Sequence, residues 1–186
     1  LCAAQQWPDG QITERIFGWQ GDVSPGGQSV PLRLAGALHA LHLTGHPGLN
    51  AVYPPHDVSD DVLWRAVSSA MTADAPHIDQ WLGSAPQTNE VRRSVALIAV
   101  GHLLAARYGL PIRTSELGAS GGLNLHWDDY AMQAGGWLYG GANAALMLTP
   151  DWSGPLPATK RPHVISRGGV DLNPLNPKDP DHALRL

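Results

Sequence analysis

The chain has 186 residues, 43% of them hydrophobic, which is enough for an ordinary core that buries roughly two-thirds of the unfolded surface. The formal net charge is −4 with no run of lysines or arginines, which argues against non-specific binding to nucleic acid or to an anionic membrane. One cysteine, Cys2, excludes an internal disulfide and a cysteine-rich metal site and agrees with a cytoplasmic location, and no apolar run approaches the ~20 residues that span a bilayer.

Ile12 to Trp19 reads as a short helix, followed by the glycine- and proline-rich connector GDVSPGGQSVP. In LRLAGALHALHLTG, Leu34, Ala37, Leu38 and Leu41 recur at helical spacing, and Gly45 is a natural stop. VYPPHDVSDD is a turn. Ser59 then serves as N-cap, and Asp60 and Asp61 sit in a first helical turn whose dipole favours negative charge. The apolar face of that helix is Val62, Leu63, Ala66, Val67, Ala70 and Met71. A long helix is predicted from about Asn89 to Tyr108 and is ended by Gly109 and Pro111. Val95, Leu97, Ile98, Val100, Leu103 and Leu104 cover most of its circumference, which predicts burial on several sides.

The character changes at LPIRTSELGASGG, where a short strand, Ile112 to Leu117, runs into a glycine turn and then a helix beginning near Gly121. Residues 131–162 are rich in glycine, proline and tryptophan, with WLYGG and ALMLTP as short strands of a hairpin. HVIS is strand-like, RGG a tight turn and GVDL a short apolar run halted by proline, with a helix starting at Asp181. The expected organisation is a helical N-terminal region, 1–110, and the first part of an α/β domain, 111–186, with 131–162 as an insertion.

A glycine turn between a strand and a helix lets the backbone adopt positive φ and approach a ligand closely. The helix start adds unpaired N–H groups and a positive dipole end. Glu116, at the end of a buried strand, is costly unless paired, and a cationic or hydroxyl-bearing ligand would satisfy it; bracing the loop through backbone N–H groups is the alternative. In PQTNEV, Thr88 or Asn89 can cap the long helix, and Glu90 suits its dipole. The functional reading makes Asn89 and Glu90 substrate-facing catalytic residues, with Glu90 a general base, while Arg93 can pair with Glu90 at i, i+3. Asn124, in NLHWDDY, can reach back to the ligand; His126, Asp128 and Tyr130 either line the rim or pack. His39, His42 and His46 share helical spacing but lack the glutamate of H-E-x-x-H, so no metal site is expected.

ELGASGG resembles the first motif of class I S-adenosylmethionine-dependent methyltransferases, acidic-x-Gly-x-Gly-x-Gly, and GVDLNP resembles their second-strand motif. The resemblance implies a Rossmann-like doubly wound sheet that binds S-adenosylmethionine. Gly118, Ser120 and Gly122 would form the loop beside the methionine part, Glu116 would lie nearby, and Asp171 would take both ribose hydroxyls. Ser120 replaces the middle glycine, and Asp171 follows Glu116 by 55 residues (171 − 116) where ~20 is usual. LRLAGALHALHLTG, PQTNEVRRS, ELGASGGLNLHWDDY and RGGVDLNPLNP together resemble a bacterial family known only as a domain of unknown function. That family implies a methyltransferase-like sheet behind a helical N-terminal region, with no reaction attached.

Two other readings stay open. Gly118 to Gly122 also matches the G-x-S-x-G nucleophile elbow, and Ser120, Asp171 and His182 follow the chain order of α/β-hydrolases, although no oxyanion loop precedes them. The remaining reading is a nucleotide- or protein-binding domain without chemistry. A doubly wound sheet needs about five strands, and 69 residues follow Leu117 (186 − 117), so the expectation is an incomplete sheet in a piece of a longer protein. The expected partner is a small-molecule substrate, with self-association into a homo-oligomer left open.

Overall fold

The computed structural model describes residues 6–87 and 90–186. Contacts divide it into two compact units, one formed by the chain up to Gln87 and the other by nearly all that follows. The result is a mixed α/β protein of helices and small sheets. Among the described residues no helix is long and apolar enough to cross a membrane.

The first unit is helical: α1 (Gln11–Phe17), α2 (Val30–Leu43), α3 (Pro47–Asn50), α4 (Asp60–Ala73) and α5 (Ala75–Leu82). α2 buries Ala37, Leu38 and Leu41 as their spacing predicts, and the chain leaves it through Gly45 at φ 93°. In α4 Ser59 stands at the N-cap and both aspartates occupy the first turn. Its apolar face is buried only at one end: Ala70 and Met71 are in the core, whereas Val62 and Leu63 are 36% and 37% exposed. α5 is absent from the sequence reading. Pro76 stands in its first turn, where the missing N–H costs nothing, so a residue that breaks helices elsewhere starts this one. Ile12, Leu38, Leu49, Met71, Ile78 and Leu82 form the centre of the core. Each such side chain contributes about 1.5–3 kcal/mol of burial before entropy is charged against it.

In the second unit a 3-10 turn, Val91–Arg93, leads into α6 (Ser94–Tyr108), which Gly109 ends at φ 66°. The helix starts later than expected, and Asn89 lies outside the described residues. Burial on several sides is not observed. Ile98, Gly101, His102 and Ala105 make one buried stripe, while Leu97, Val100, Leu103 and Leu104 are 38% to 53% exposed. Gly101 sits in that stripe because a Cβ there would overlap the Trp127 ring.

β1 (Ile112–Leu117) forms as predicted and pairs in parallel with β5 (Val164–Val170), with Glu116 opposite Gly169 and Leu117 opposite Val170. No tight turn breaks β5: Arg167, Gly168 and Gly169 are paired residues within one strand. β2 (Ala131–Ala134), β3 (Trp137–Tyr139) and β4 (Met147–Leu148) form a separate sheet of order β3-β2-β4. The expected hairpin between β3 and β4 is therefore corrected, because both flank β2, β3 antiparallel and β4 parallel. The β2–β3 hairpin closes on Gly135 and Gly136, both at the positive φ that such a two-residue turn requires. Ile98, Trp127, Tyr130, Met132, Tyr139 and Leu148 form the core beneath. α7 (Pro180–Ala183) is a single turn, capped by Asp179 accepting from the amides of Asp181 and His182.

Candidate functional site

The parallel pairing of β1 and β5 brings two carboxyl ends together at the glycine turn. Gly118, Ser120 and Gly122 have φ of 74°, 50° and 73°, so alternate residues take the left-handed conformation. Glycine does this without strain, whereas Ser120 adopts it at a cost of about 1–3 kcal/mol. A Cβ on Gly118 would meet no atom within 4 Å, so the space beside it is open. Gly169 is the opposite case. Its Cβ would come 2.6 Å from Ala119 Cβ, so β5 lies directly against the turn only because it carries a glycine there.

The expected helix near Gly121 is not formed. With Ser120 and Gly122 left-handed, right-handed helical backbone starts only at Leu123, and it continues as 3-10 turns over Leu123–Asp129, kinked at His126. Two side chains favour the tighter winding: Tyr130 donates its hydroxyl to Leu123 O at 2.7 Å, and Trp127 is buried against α6.

The amides of the turn are largely spoken for. Gly118 N and Ala119 N donate to Val170 O at 2.9 and 3.1 Å, and Gly122 N donates to Ala119 O at 2.7 Å. Ser120 N donates to Asp171 Oδ2 at 2.8 Å, while Asn173 N donates to Asp171 Oδ1 at 2.7 Å. These two bonds, that from Asn173 first, hold the Asp171 carboxyl below its ordinary value. The positive nest expected from a strand-to-helix turn is therefore filled by a carboxylate from the neighbouring strand.

Glu116 is the unsatisfied member. Its Oε2 is buried and makes no hydrogen bond among the described residues. Burial raises its pKa above the ordinary 4.5, and the positive charge of Arg93 only partly offsets this. Arg93, at the entrance to α6, thus acts on Glu116, a placement that the i, i+3 reading with Glu90 does not reveal.

Glu90 has a partner close by in the chain. Its Oε1 caps the 3-10 turn by accepting from Arg92 N at 3.0 Å. With Val91, Arg92, Val95 and residues 146–151 it lines a groove of about 620 Å³, to which no residue of the glycine turn contributes. Asn124 is buried, and its Oδ1 accepts from Ser94 Oγ at 2.8 Å, tying the 3-10 segment to the start of α6. Asp128 forms a two-oxygen ion pair with Arg167, whose Nε also donates to Leu125 O. His182 Nδ1 accepts from Asn176 N at 3.1 Å. In the first unit His42 Nδ1 lies 2.7 Å from Asn50 Oδ1, and His46 Nε2 lies 3.1 Å from Asp74. Among the described residues no three His, Cys, Asp or Glu side chains gather as metal ligands.

No curated protein and no solved structure matches the chain. The family described as "Uncharacterized protein conserved in bacteria (DUF2332)" matches residues 2–186, and the chain belongs to that family.

Proposed function

We propose that the turn after β1 binds S-adenosylmethionine or its demethylated product, within a Rossmann-like, methyltransferase-like module that acts on a small molecule. The observation that carries this reading is the polarity of the turn: the amides of Gly118, Ala119, Ser120 and Gly122 are used, and a buried carboxylate oxygen beside them makes no hydrogen bond among the described residues. A phosphate-bearing dinucleotide needs free amides at such a turn and would meet two carboxylates instead. A ligand with cationic groups and ribose hydroxyls suits what is there. Glu116 would face the positive methionine part. Each Asp171 oxygen accepts one backbone bond and keeps a lone pair for a ribose hydroxyl. The open space over Gly118 leaves room for close approach.

Strand order supports the same reading, since the strand that ends at Asp171 is the parallel neighbour of β1. About half of the long interval between the two acids is taken up by residues 123–148, in the 3-10 segment and the separate β3-β2-β4 sheet. When bound, S-adenosylmethionine supplies an already activated methyl group, so the protein's work is positioning and desolvation. Glu90 and Asn89 would serve the acceptor, with Glu90, which lines the 620 Å³ groove, as general base.

Calorimetry with S-adenosylmethionine tests this directly. Saturable binding is expected, with Glu116→Gln and Gly118→Val weakening it by about tenfold or more and Asp171→Ala abolishing it. Binding of NAD in place of S-adenosylmethionine, or binding indifferent to Glu116→Gln, would overturn the assignment. The left-handed φ of Ser120 also favours a second reading, the strained nucleophile of a serine hydrolase. Labelling of Ser120 by a fluorophosphonate probe would support it.

A further inference from the structure

Between α1, α2, α4 and the connector after α1, the first unit holds a cleft of about 550 Å³. We propose that this cleft is a binding site for an apolar small molecule carrying one positive charge, independent of the turn in the second unit. Its volume falls in the range of small-molecule sites, about 300–1,000 Å³, and it is walled on three sides by helices. Trp7, Phe17, Trp19 and Trp64 supply aromatic surface, and aliphatic side chains of α2 and α4 supply nearly all the rest. Phe17 is 68% exposed although it faces this cleft, so the apolar surface is open to a ligand.

The charge of the ligand follows from the charge of the walls. Among the described residues Asp60 is the one charged residue in the lining. It stands in the first turn of α4, whose dipole contributes only about half a positive charge at that end, so the full negative charge of the carboxylate dominates locally. Aromatic faces add attraction for a cation, most where water is excluded. Trp64 and Trp7 pack edge to face at 5.4 Å, and Trp64 Nε1 is fixed on Gln6 O, so this aromatic corner is held in place. Trp19 differs. Arg15 and Arg33 lie 5.6 and 5.5 Å from its ring, held by Asp79 and by the carbonyls of Gln28 and Leu82. A cation is unwelcome beside Trp19. The positive end of the ligand therefore lies on the α4 wall, near Asp60 and Trp64, with its apolar body running toward Trp19.

The test uses three ten-carbon probes, decyltrimethylammonium, 1-decanol and decanoate, titrated calorimetrically into the full chain below their aggregation concentrations. The cation should bind about tenfold or more tighter than decanoate, with the alcohol between. Asp60→Asn should remove most of the advantage of the cation over the alcohol. Ala35→Phe, which fills the cleft from α2, should weaken all three. Should Ala35→Phe fail to fold, an 11-bromoundecyltrimethylammonium titration replaces it: the bromine, at the tail end of the probe, should quench indole fluorescence in the native chain and markedly less so in Trp19→Phe. Absence of saturable binding, equal affinity for cation and anion, or quenching unaffected by Trp19→Phe would overturn the proposal.

Discussion

Glu116→Gln should make the protein more stable at neutral pH while weakening its ligand binding. The carboxylate has one oxygen buried and unbonded among the described residues, and burial outweighs the attraction of Arg93 in setting its pKa above 4.5. A buried polar atom without a partner costs about 1–3 kcal/mol, more when charged. Glutamine removes the charge but still presents a polar atom there, so the recovery should be at the low end, on the order of 1 kcal/mol. For a chain of this length that corresponds to roughly 2–4 °C in Tm.

The pH dependence fixes the sign. A carboxyl whose folded pKa is raised contributes its full stability below the unfolded value of 4.5 and loses it as pH rises through the folded value. Wild type and Glu116→Gln should therefore differ least near pH 4 and diverge as pH rises toward neutrality. Urea unfolding of both proteins at pH 4.5, 6 and 7.5, followed by circular dichroism, measures the gap. A variant less stable than wild type at pH 7.5 would refute the reasoning, because the carboxylate would then be a brace for the turn.

Gly101→Ala normally gains about 1 kcal/mol in a helix interior, yet here it should lose. The new methyl group would overlap the Trp127 ring, which is 3% exposed and has nowhere to move, and overpacking typically costs 1–3 kcal/mol; a lowered urea midpoint is expected, and a raised one would contradict the packing. His102, buried and touching Tyr139 edge to face, has its pKa held below 6.5, chiefly by desolvation, and its Nδ1 makes no hydrogen bond among the described residues. A depressed folded pKa means stability that is complete above 6.5 and declines as pH falls toward the folded value. Melting temperatures between pH 7.5 and 5 should show that decline in wild type and a shallower one in His102→Leu.

Much of the helical half was legible because its signals are local. The spacing of Ala37, Leu38 and Leu41, the acidic first turn of α4 and the stop at Gly109 depend only on neighbours in the chain. Failures occurred where a local signal has two meanings. Pro76 begins a helix, and the glycines of RGG continue a strand because β1 pairs with them and Ala119 needs the space. The continuous apolarity of α6 predicts burial on several sides, yet a single stripe, through Ile98, Gly101, His102 and Ala105, is buried. Composition records how apolar a helix is, and packing alone records which sides are met.

At the candidate site the residue types were legible and their bonding was not. ELGASGG identifies a turn that tolerates positive φ, and on local chemistry such a turn followed by a helix offers amides to an anion. Whether those amides are free depends on a carboxylate 51 residues beyond Ser120, which reaches the turn only because two strands pair in parallel and Gly169 lets them close. On the proposed reading that distant contact would reverse the preference of the site. Where an empty nest would draw phosphate, a turn whose Ser120 amide is held by Asp171 and flanked by Glu116 would disfavour it and suit positive charge and hydroxyl donors. On the proposed reading Asp171 would have two roles that a single substitution cannot separate, holding the turn shut and presenting acceptors. Glu116, whose Oε2 braces nothing among the described residues, would then be the position at which ligand recognition and folding can be pulled apart.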